Sequence, residues 1–419
     1  MEAQVVEPIS AAQCAEVVAK GPVIARGLGR SYGDSSLGPR MVSTRRFDHL
    51  LAFDPDAGVL QCEAGVTLDE LLRVFVPRGW LPPVVPGTRY VTVGGAIASD
   101  IHGKNHHLDG SFGAHVREIE VLLGSGDRVQ ASASLNADLF RATCGGMGLT
   151  GVILSATLQL RRLTSSQIVE TIIRAPNLDA VLEAFAAHSR SSYSVAWIDC
   201  VARGFGLGRS VLMLGEHAVE GSLEPAKSVG AQVPLDMPAW LLNRATARAF
   251  NALYFRRATD RRRQVALDRF FFPLDALSHW NRLYGAPGFV QYQFVVPKAA
   301  GPAALREVLR QVSGSSCGAF LAVLKLFGAA NDNFLSFPRE GYTLALDLKA
   351  EAASFSLMDR LDAVVLQHGG RLYLTKDARM SEATFKASYP AWPQFEAIRD
   401  RWHAHGRFAS GQSRRLGLL

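Results

Sequence analysis

Between residues 21 and 165 the apolar residues fall in short, β-branched runs, broken every few positions by glycine or proline. The runs "GPVIARGLG", "GVLQCEAGVT", "REIEVLLGSGDRVQA" and "TGVILSATLQLRRL" predict strands, and "GSGDR" at 124–128 predicts a tight hairpin turn. The period changes in "TLDELLRVFVPRG". There Leu68, Leu71, Leu72 and Phe75 recur at helical intervals, and Thr67 before Asp69 and Glu70 predicts an N-cap. From about residue 166 the segments lengthen. "NLDAVLEAFAAHSR" reads as helix, "YSVAWIDCV", "GFVQYQFVV" and "YTLALDLKA" as strands, and "ASFSLMDRLDAVVLQHGG" as a helix closed by glycine. The expected class is α+β. The expected organisation is a glycine-rich lobe over 1–165, an inserted second lobe over 166–370, and a tail, 371–419, that returns to the first.

Length and composition narrow the class. A chain of 419 residues has room for two or three lobes and a large core. Its apolar runs fall far short of the ~20 residues that a membrane-spanning helix needs. The start, "MEAQVVEPIS", is acidic and has no basic-then-apolar signal pattern, so a cytoplasmic protein is expected. Cys14, Cys62, Cys144, Cys200 and Cys317 are scattered and form no C-x-x-C pair. They read as reduced, buried thiols rather than zinc ligands.

Candidate chemistry concentrates in three glycine-rich stretches. The first, "VIARGLGRSYGD", has Gly27, Gly29 and Gly33 at spacings that fit neither a Rossmann loop nor a P-loop. Taken alone it could be a surface turn. The second is "PGTRYVTVGGAIASDIHGKNHHLDGSFGAHV" and the third "FRATCGGMGLTGVI". Three such loops, each following or joining strands, suit an extended cofactor whose pyrophosphate rests on bare N–H groups. His102, His106 and His107 lack the H-E-x-x-H arrangement and a nearby Glu, so no metal is expected.

The residues carry a family resemblance. "ARGLGRSYGD", "PGTRYVTVGGAIASDIHGKNHH", "GSFGAHV" and "GGMGLTGVI" resemble the flavin-binding lobe of the vanillyl-alcohol-oxidase superfamily of FAD oxidoreductases. Further blocks extend the resemblance nearly end to end, among them "FFPLDALSHWNRLYG", "LKLFG", "LSFPREGY", "GGRLYLTKDAR" and "FASGQSRRLGLL". More narrowly, they resemble the decaprenylphosphoryl-β-D-ribose oxidase family, the flavoprotein half of a 2-epimerase. The resemblance implies a two-part FAD-binding lobe and an inserted substrate lobe built on an antiparallel sheet. It implies that Ala25, Arg26, Gly27, Leu28, Gly29, Arg30, Ser31, Tyr32, Gly33, Asp34 and Ser35 wrap the FAD pyrophosphate. Gly87, Thr92, Val93, Gly94, Gly95, Ser99, Asp100, Ile101 and His102 would complete the cradle with Val152 and Ile153, and Tyr373 would close it. Many superfamily members bind FAD covalently through a histidine of an H-S pair. Here Arg30 precedes Ser31, so a noncovalent flavin is implied.

Oxidising a secondary alcohol removes a hydride from carbon and a proton from oxygen, so polar groups must meet the hydroxyl. The candidates are His102, Lys104, Gln291, Gln293, Lys325 and Lys376. Lys325 in "VLKLFG" and Lys376 in "YLTKDAR" interrupt apolar, strand-like runs, a pattern that also fits a solvated face. By resemblance both face the substrate pocket, and Lys376 would stabilise the anionic reduced ring. Gln291 and Gln293 alternate with Tyr292, so both amides share a side and could hold sugar hydroxyls, or form a polar outer face. The family's "G-W-N-I-C-V-D" strand reads "GYTLALD" here, with Thr343 at the asparagine's place and Ala345 at the cysteine's.

The basic charge gathers in "WLLNRATARAFNALYFRRATDRRRQ", where Arg244, Arg248, Arg256, Arg257 and Arg261 to Arg263 interleave with Trp240, Leu241, Phe250, Leu253, Tyr254 and Phe255. No nucleic-acid fold signature accompanies it. The segment reads as a solvated helix face or as a landing surface for a lipid phosphate and a bilayer. The function implied is FAD-dependent oxidation of the 2-hydroxyl of a polyprenyl-phosphate-linked pentose. A separate NADH-dependent short-chain reductase would complete the epimerisation, with the oxidase peripherally on the membrane. The alternative is a soluble sugar-alcohol or aldonolactone oxidase of the same superfamily.

Overall fold

The structure, a computed structural model, describes residues 3–224, 231–238, 243–317, 319 and 321–418. The class is α+β, with two small sheets in the first part of the chain and one large sheet in the middle. Strands Gln4–Val6, Arg40–Ser43 and Ile24–Arg26 form a parallel three-stranded sheet. Strands Leu50–Asp54, Val59–Glu63, Val152–Gln159, Val116–Leu122 and Arg128–Ser132 form an antiparallel sheet in that order. The last two are joined by the predicted hairpin turn. Helix Leu68–Phe75 starts at Thr67, whose hydroxyl accepts from Glu70 N–H while the Glu70 carboxylate accepts from Thr67 N–H. That reciprocal cap satisfies donors the first turn would otherwise leave open. Its apolar stripe packs with Val93, Ile97, Ile119 and Ile153 in the core beneath the five-stranded sheet.

The large sheet has eight antiparallel strands. Their order is Arg261–Ala266, Gln167–Ala175, Ser210–His217, Tyr193–Ile198, Ala322–Phe327, Gly341–Lys349, Phe289–Pro297 and Arg371–Leu372. Strand side chains alternate between faces, and one set is uniformly apolar. Ala196, Leu212, Leu324, Leu344, Leu346 and Phe294 pack with residues of helices Leu178–Ala187, Gly301–Gly314 and Ala352–Gln367 in one core. All three helices cover the same side, so the opposite face is free to line a site.

The chain leaves the sheet after Leu372, and its tail packs on the first part of the chain. Val23 N–H donates to Arg407 O at 2.9 Å and Ala409 N–H to Val23 O at 3.0 Å. The fully buried Arg399 donates to Leu149 O at 3.0 Å and Phe408 O at 3.1 Å, and pairs with Glu396 at 2.6 Å. One guanidinium thus ties helix Trp392–Arg401 to the third glycine-rich loop and to the chain end.

Removing a buried charge that satisfies several acceptors costs more than its net contribution, because the acceptors stay buried. Arg399→Met is expected to destabilise the fold by roughly 3 kcal/mol or more in denaturant unfolding. An unchanged midpoint would show that this junction contributes nothing.

Candidate active site

The site begins where strand Ile24–Arg26 gives way to the first glycine-rich loop. A Cβ on Gly27 would lie 2.2 Å from Thr92 Oγ1, so only glycine lets the loop touch the start of helix Val93–Ala98. Thr92 caps that helix by accepting from Gly95 N–H at 3.1 Å. Arg26 braces the loop by donating to Ser36 O at 3.2 Å. Arg30 Nε donates to Tyr90 O at 3.3 Å. Among the described residues, the N–H groups of Leu28, Gly29, Arg30 and Ser31 have no protein acceptor. Backbone donors side by side without partners are a nest for an anion, and a dinucleotide pyrophosphate supplies one.

The opposite wall is the free face of the large sheet. Register places Gln293 beside Ala345 and Ala345 beside Val323, while Gln291 pairs with Asp347 and Thr343 with Lys325. Gln293 Nε2 donates to His102 Nε2 at 3.0 Å and to Thr343 Oγ1 at 3.2 Å. Thr343 in turn donates to Phe294 O at 2.8 Å. With Nε2 accepting, the ring proton of His102 sits on Nδ1, which is buried and has no partner among the described residues. Phe327, Tyr373 and Phe337 surround the ring at centroid distances of 4.7, 5.4 and 5.8 Å. Burial, with Lys325 nearby, pushes the His102 pKa well down, so the imidazole is neutral.

The two walls meet at the turn after Leu372. Tyr373 N–H donates to Gln293 O at 2.9 Å, and Tyr32 N–H donates to Thr375 O at 3.0 Å. Lys376 Nζ lies over the Tyr32 ring, 3.7 Å from its centroid. Lys376 was expected to interrupt a strand; it sits instead on this turn, because the strand ends at Leu372. Burial lowers the Lys376 pKa to about 7, against the opposing pull of Asp347. Burial alone lowers Lys325 to about 8. Asp347 moves the other way, to about 6, although Gln291 Nε2 donates to it at 2.5 Å.

Between the walls lies a cavity of about 1030 Å³. Lys376, His102, Gln293, Lys325 and Gln291 all line it, as do Lys104, Thr343 and Ala345. From the expected cradle it takes Ala25 to Tyr32, Ser35, Gly87, Thr92, Gly94, Gly95, Ser99, Ile101, Ile153 and Tyr373. Five expected cradle residues are not on its wall. A Cβ on Gly33 would lie 1.9 Å from Asp377 O, so this glycine serves the tail's approach. Asp34 pairs with Arg415 at 2.7 Å. Val93 and Val152 are fully buried in two apolar cores. Asp100, at φ +39°, is fully buried and accepts from Gly113 N–H, Asn331, Asn333 and Ser336. It clasps the 331–336 segment to the end of the cradle helix.

The sequence reading missed Asp347, Trp197 and Trp280. The alternation that pairs Thr343 with Ala345 also reaches Asp347, and the same rule applied to "YSVAWID" exposes Val195 and Trp197. The basic segment divides. Helix Arg244–Arg257 and edge strand Arg261–Ala266 carry it, and Trp240 and Leu241 lie outside the described residues. Arg244 donates to Ser313 O and Arg263 pairs with Glu170 at 2.7 Å, so these two arginines are structural. Arg248, Arg256, Arg257, Arg261 and Arg262 are exposed. Phe250, 58% exposed, and Tyr254 stand at the cavity's edge. Among the described residues no helix is long and apolar enough to cross a membrane.

A glycine-lined nest facing a sheet of lysines and amides defines an FAD-dependent oxidoreductase of the vanillyl-alcohol-oxidase type, and the comparisons agree. A family model described as an FAD binding domain matches residues 3–132. The decaprenylphosphoryl-beta-D-ribose oxidase of Mycolicibacterium smegmatis is 40% identical over 415 residues, covering 95% of this chain and 89% of that protein. The L-gulono-1,4-lactone dehydrogenase of Mycobacterium tuberculosis is 23% identical over 98% of the chain and 95% of its own length. Cytokinin dehydrogenase 4 of Arabidopsis thaliana is 29% identical over 33% of the chain and 28% of its own length. The chain belongs to the decaprenylphosphoryl-β-D-ribose oxidase family.

The half-buried lysines of the cavity make stability depend on pH. In the unfolded chain a lysine holds its proton up to about pH 10.4, whereas folded Lys376 and Lys104 release theirs near 7 and Lys325 near 8. Above those values the unfolded state binds more protons, so stability rises with pH. The FAD-free protein is expected to melt higher at pH 8.5 than at pH 7, with a smaller difference in Lys376→Met. Equal pH dependence in both proteins would mean that the fold does not lower the Lys376 pKa.

Proposed function

We propose that the protein oxidises the 2-hydroxyl of a pentose carried on a polyprenyl phosphate, giving a 2-keto sugar as the first half of a 2-epimerisation. One observation carries the reading: His102 from the cradle, Gln291, Gln293 and Lys325 from the sheet, and Lys376 from the turn converge on one cavity. The kinship along nearly the whole chain with a decaprenylphosphoryl-beta-D-ribose oxidase supports the substrate class. We read residues 1–165 and 371–419 as the cofactor part and 166–370 as the substrate part.

Ala25 to Tyr32, Ser35, Thr92, Gly94 and Gly95 would hold FAD noncovalently, and the bound flavin would supply the acceptor for the hydride of the carbinol carbon. Gln291 and Gln293 orient the sugar through their amides, and the neutral His102 holds the Gln293 amide in place. That hydroxyl must lose its proton. Lys376 Nζ, with a pKa of about 7, is substantially unprotonated at neutral pH and can accept it. The ammonium that results would offset the negative charge that the transferred hydride carries to its acceptor. Tyr32 and Phe289, in edge contact at 5.5 Å, shield this corner from water.

The keto product passes to a separate NADH-dependent short-chain reductase. The exposed arginines with Phe250 and Leu253 meet the cytoplasmic face of an anionic bilayer, where each basic residue near the surface contributes on the order of 1 kcal/mol.

The test is anaerobic. Flavin absorbance is expected to fade on mixing with polyprenyl-phosphoryl ribose and to persist with free aldonolactones. Lys376→Met is expected to retain FAD but bleach roughly 10²-fold more slowly. Bleaching by a free lactone alone would replace this reading with a soluble lactone oxidase. An unchanged rate in the variant would remove Lys376 from the chemistry.

A further inference from the structure

The cavity is longer than a cradle and a sugar require, and its chemistry changes along its length. On the strands Phe289–Pro297 and Gly341–Lys349 its wall is polar, with Gln291, Gln293 and Thr343. Farther across the sheet the same face becomes apolar. Register sets Val323 beside Trp197 and Val195 beside Met213, and Leu321 follows on the same wall. Tyr254 closes over this end with its ring 4.7 Å from that of Trp197, and Phe250 stacks on Tyr254. From the Gln293 strand to the Met213 strand is four strand spacings, roughly 19 Å. The apolar part, from the Val323 strand to the Met213 strand, takes two of those spacings, roughly 10 Å, and such a trough beside exposed arginines has no use in binding a free sugar.

Two ammonium groups stand where the polar wall gives way. Lys325 projects from strand Ala322–Phe327 and has no hydrogen-bond or ion-pair partner among the described residues. Lys104 comes from the loop opposite, its backbone pinned by Ser194 N–H, which donates to Lys104 O at 2.8 Å. Its Nζ donates to Phe270 O and lies 4.4 Å from the Phe270 ring centroid. The charges are close enough that Lys325 helps burial lower Lys104 to about 7. Glu170, the carboxylate that acts on Lys104, is already held by Arg263 at 2.7 Å. Two neighbouring half-buried amines on the cavity wall, without a carboxylate of their own, fit a ligand that brings the negative charge.

Resting on the function proposed above, the geometry points to a substrate track in three parts. The sugar lies against Gln291 and Gln293, its phosphodiester between Lys325 and Lys104, and the first isoprene units along Val195, Trp197, Met213, Leu321 and Val323, leaving beneath Tyr254. The lipid is then bound by the enzyme as well as by the membrane. Chain length becomes a property this site reads, up to the trough's end and no farther. Binding the phosphodiester also draws both lysines into their charged forms, because the anion favours the ammonium.

The test measures KM for riboses carrying dimethylallyl, farnesyl or decaprenyl phosphate, in detergent, by steady-state turnover with a redox dye as the electron acceptor. The wild type is expected to show KM falling at least about tenfold from dimethylallyl to farnesyl, because apolar surface leaves water, with little further change to decaprenyl. Met213→Arg, which places a charge in the trough, is expected to flatten the series, while Met213→Leu keeps it. Lys104→Met is expected to raise KM for all three substrates by about tenfold or more, with Lys104→Arg restoring part of the loss. FAD content and melting temperature of each variant separate a blocked trough from a damaged fold. Failure of the wild type to oxidise any of the three would overturn the function itself. Oxidation with a KM indifferent to chain length, or a series that Met213→Arg leaves intact, would overturn the track alone.

Discussion

The hydrogen bond from Tyr32 N–H to Thr375 O, 3.0 Å long, joins the two halves of the site. On one side is the glycine loop with its unpartnered N–H donors; on the other is the turn that ends the eight-stranded sheet. Gly33 makes the contact possible, since any Cβ there would meet the Asp377 carbonyl. Because of that seam, Lys376 settles over the Tyr32 ring, and its half-buried amine lines the cavity where the two walls converge. The tail then has to fold back on the first lobe. Arg399, the Val23–Phe408 bridge and the Asp34–Arg415 pair hold it there.

Much of this was legible in the sequence because strand alternation is a strong rule. Gln291 and Gln293 share a face, Lys325 stands in a strand, and Thr67 caps a helix, all as their spacing implies. Alternation tells which residues share a face but not which face is covered. The three helices on one side decide that, and no local pattern announces it. Hence Asp347 and Trp197 went unnoticed, although each lies in step with residues that were singled out. Glycine is ambiguous in a similar way. It marks a close approach without naming the partner: Gly27 meets Thr92, while Gly33 meets the tail. Resemblance carried Asp100, Val93 and Val152 into the cradle as neighbours of lining residues. Their own side chains turn instead into a four-donor clasp and two apolar cores. Lys376 was misplaced onto a strand because apolar "RLYL" continues past the last paired residue.

The sheet face also frames the differences from relatives. Ala345 sits in the row between Gln293 and Val323, at the point where the wall changes from amides to hydrocarbon. Thr343 accepts a hydrogen bond from the Gln293 amide and donates its own to Phe294 O.

The central claim is that the carbon oxidised in this cavity is C2 of a lipid-linked pentose. Anaerobic flavin reduction by polyprenyl-phosphoryl ribose carrying deuterium at C2 tests it most directly. The account predicts a primary isotope effect, with bleaching slowed several-fold relative to the protiated substrate and a 2-keto product. A normal rate with the C2 deuteride, together with slowing by deuterium at C3, would contradict it.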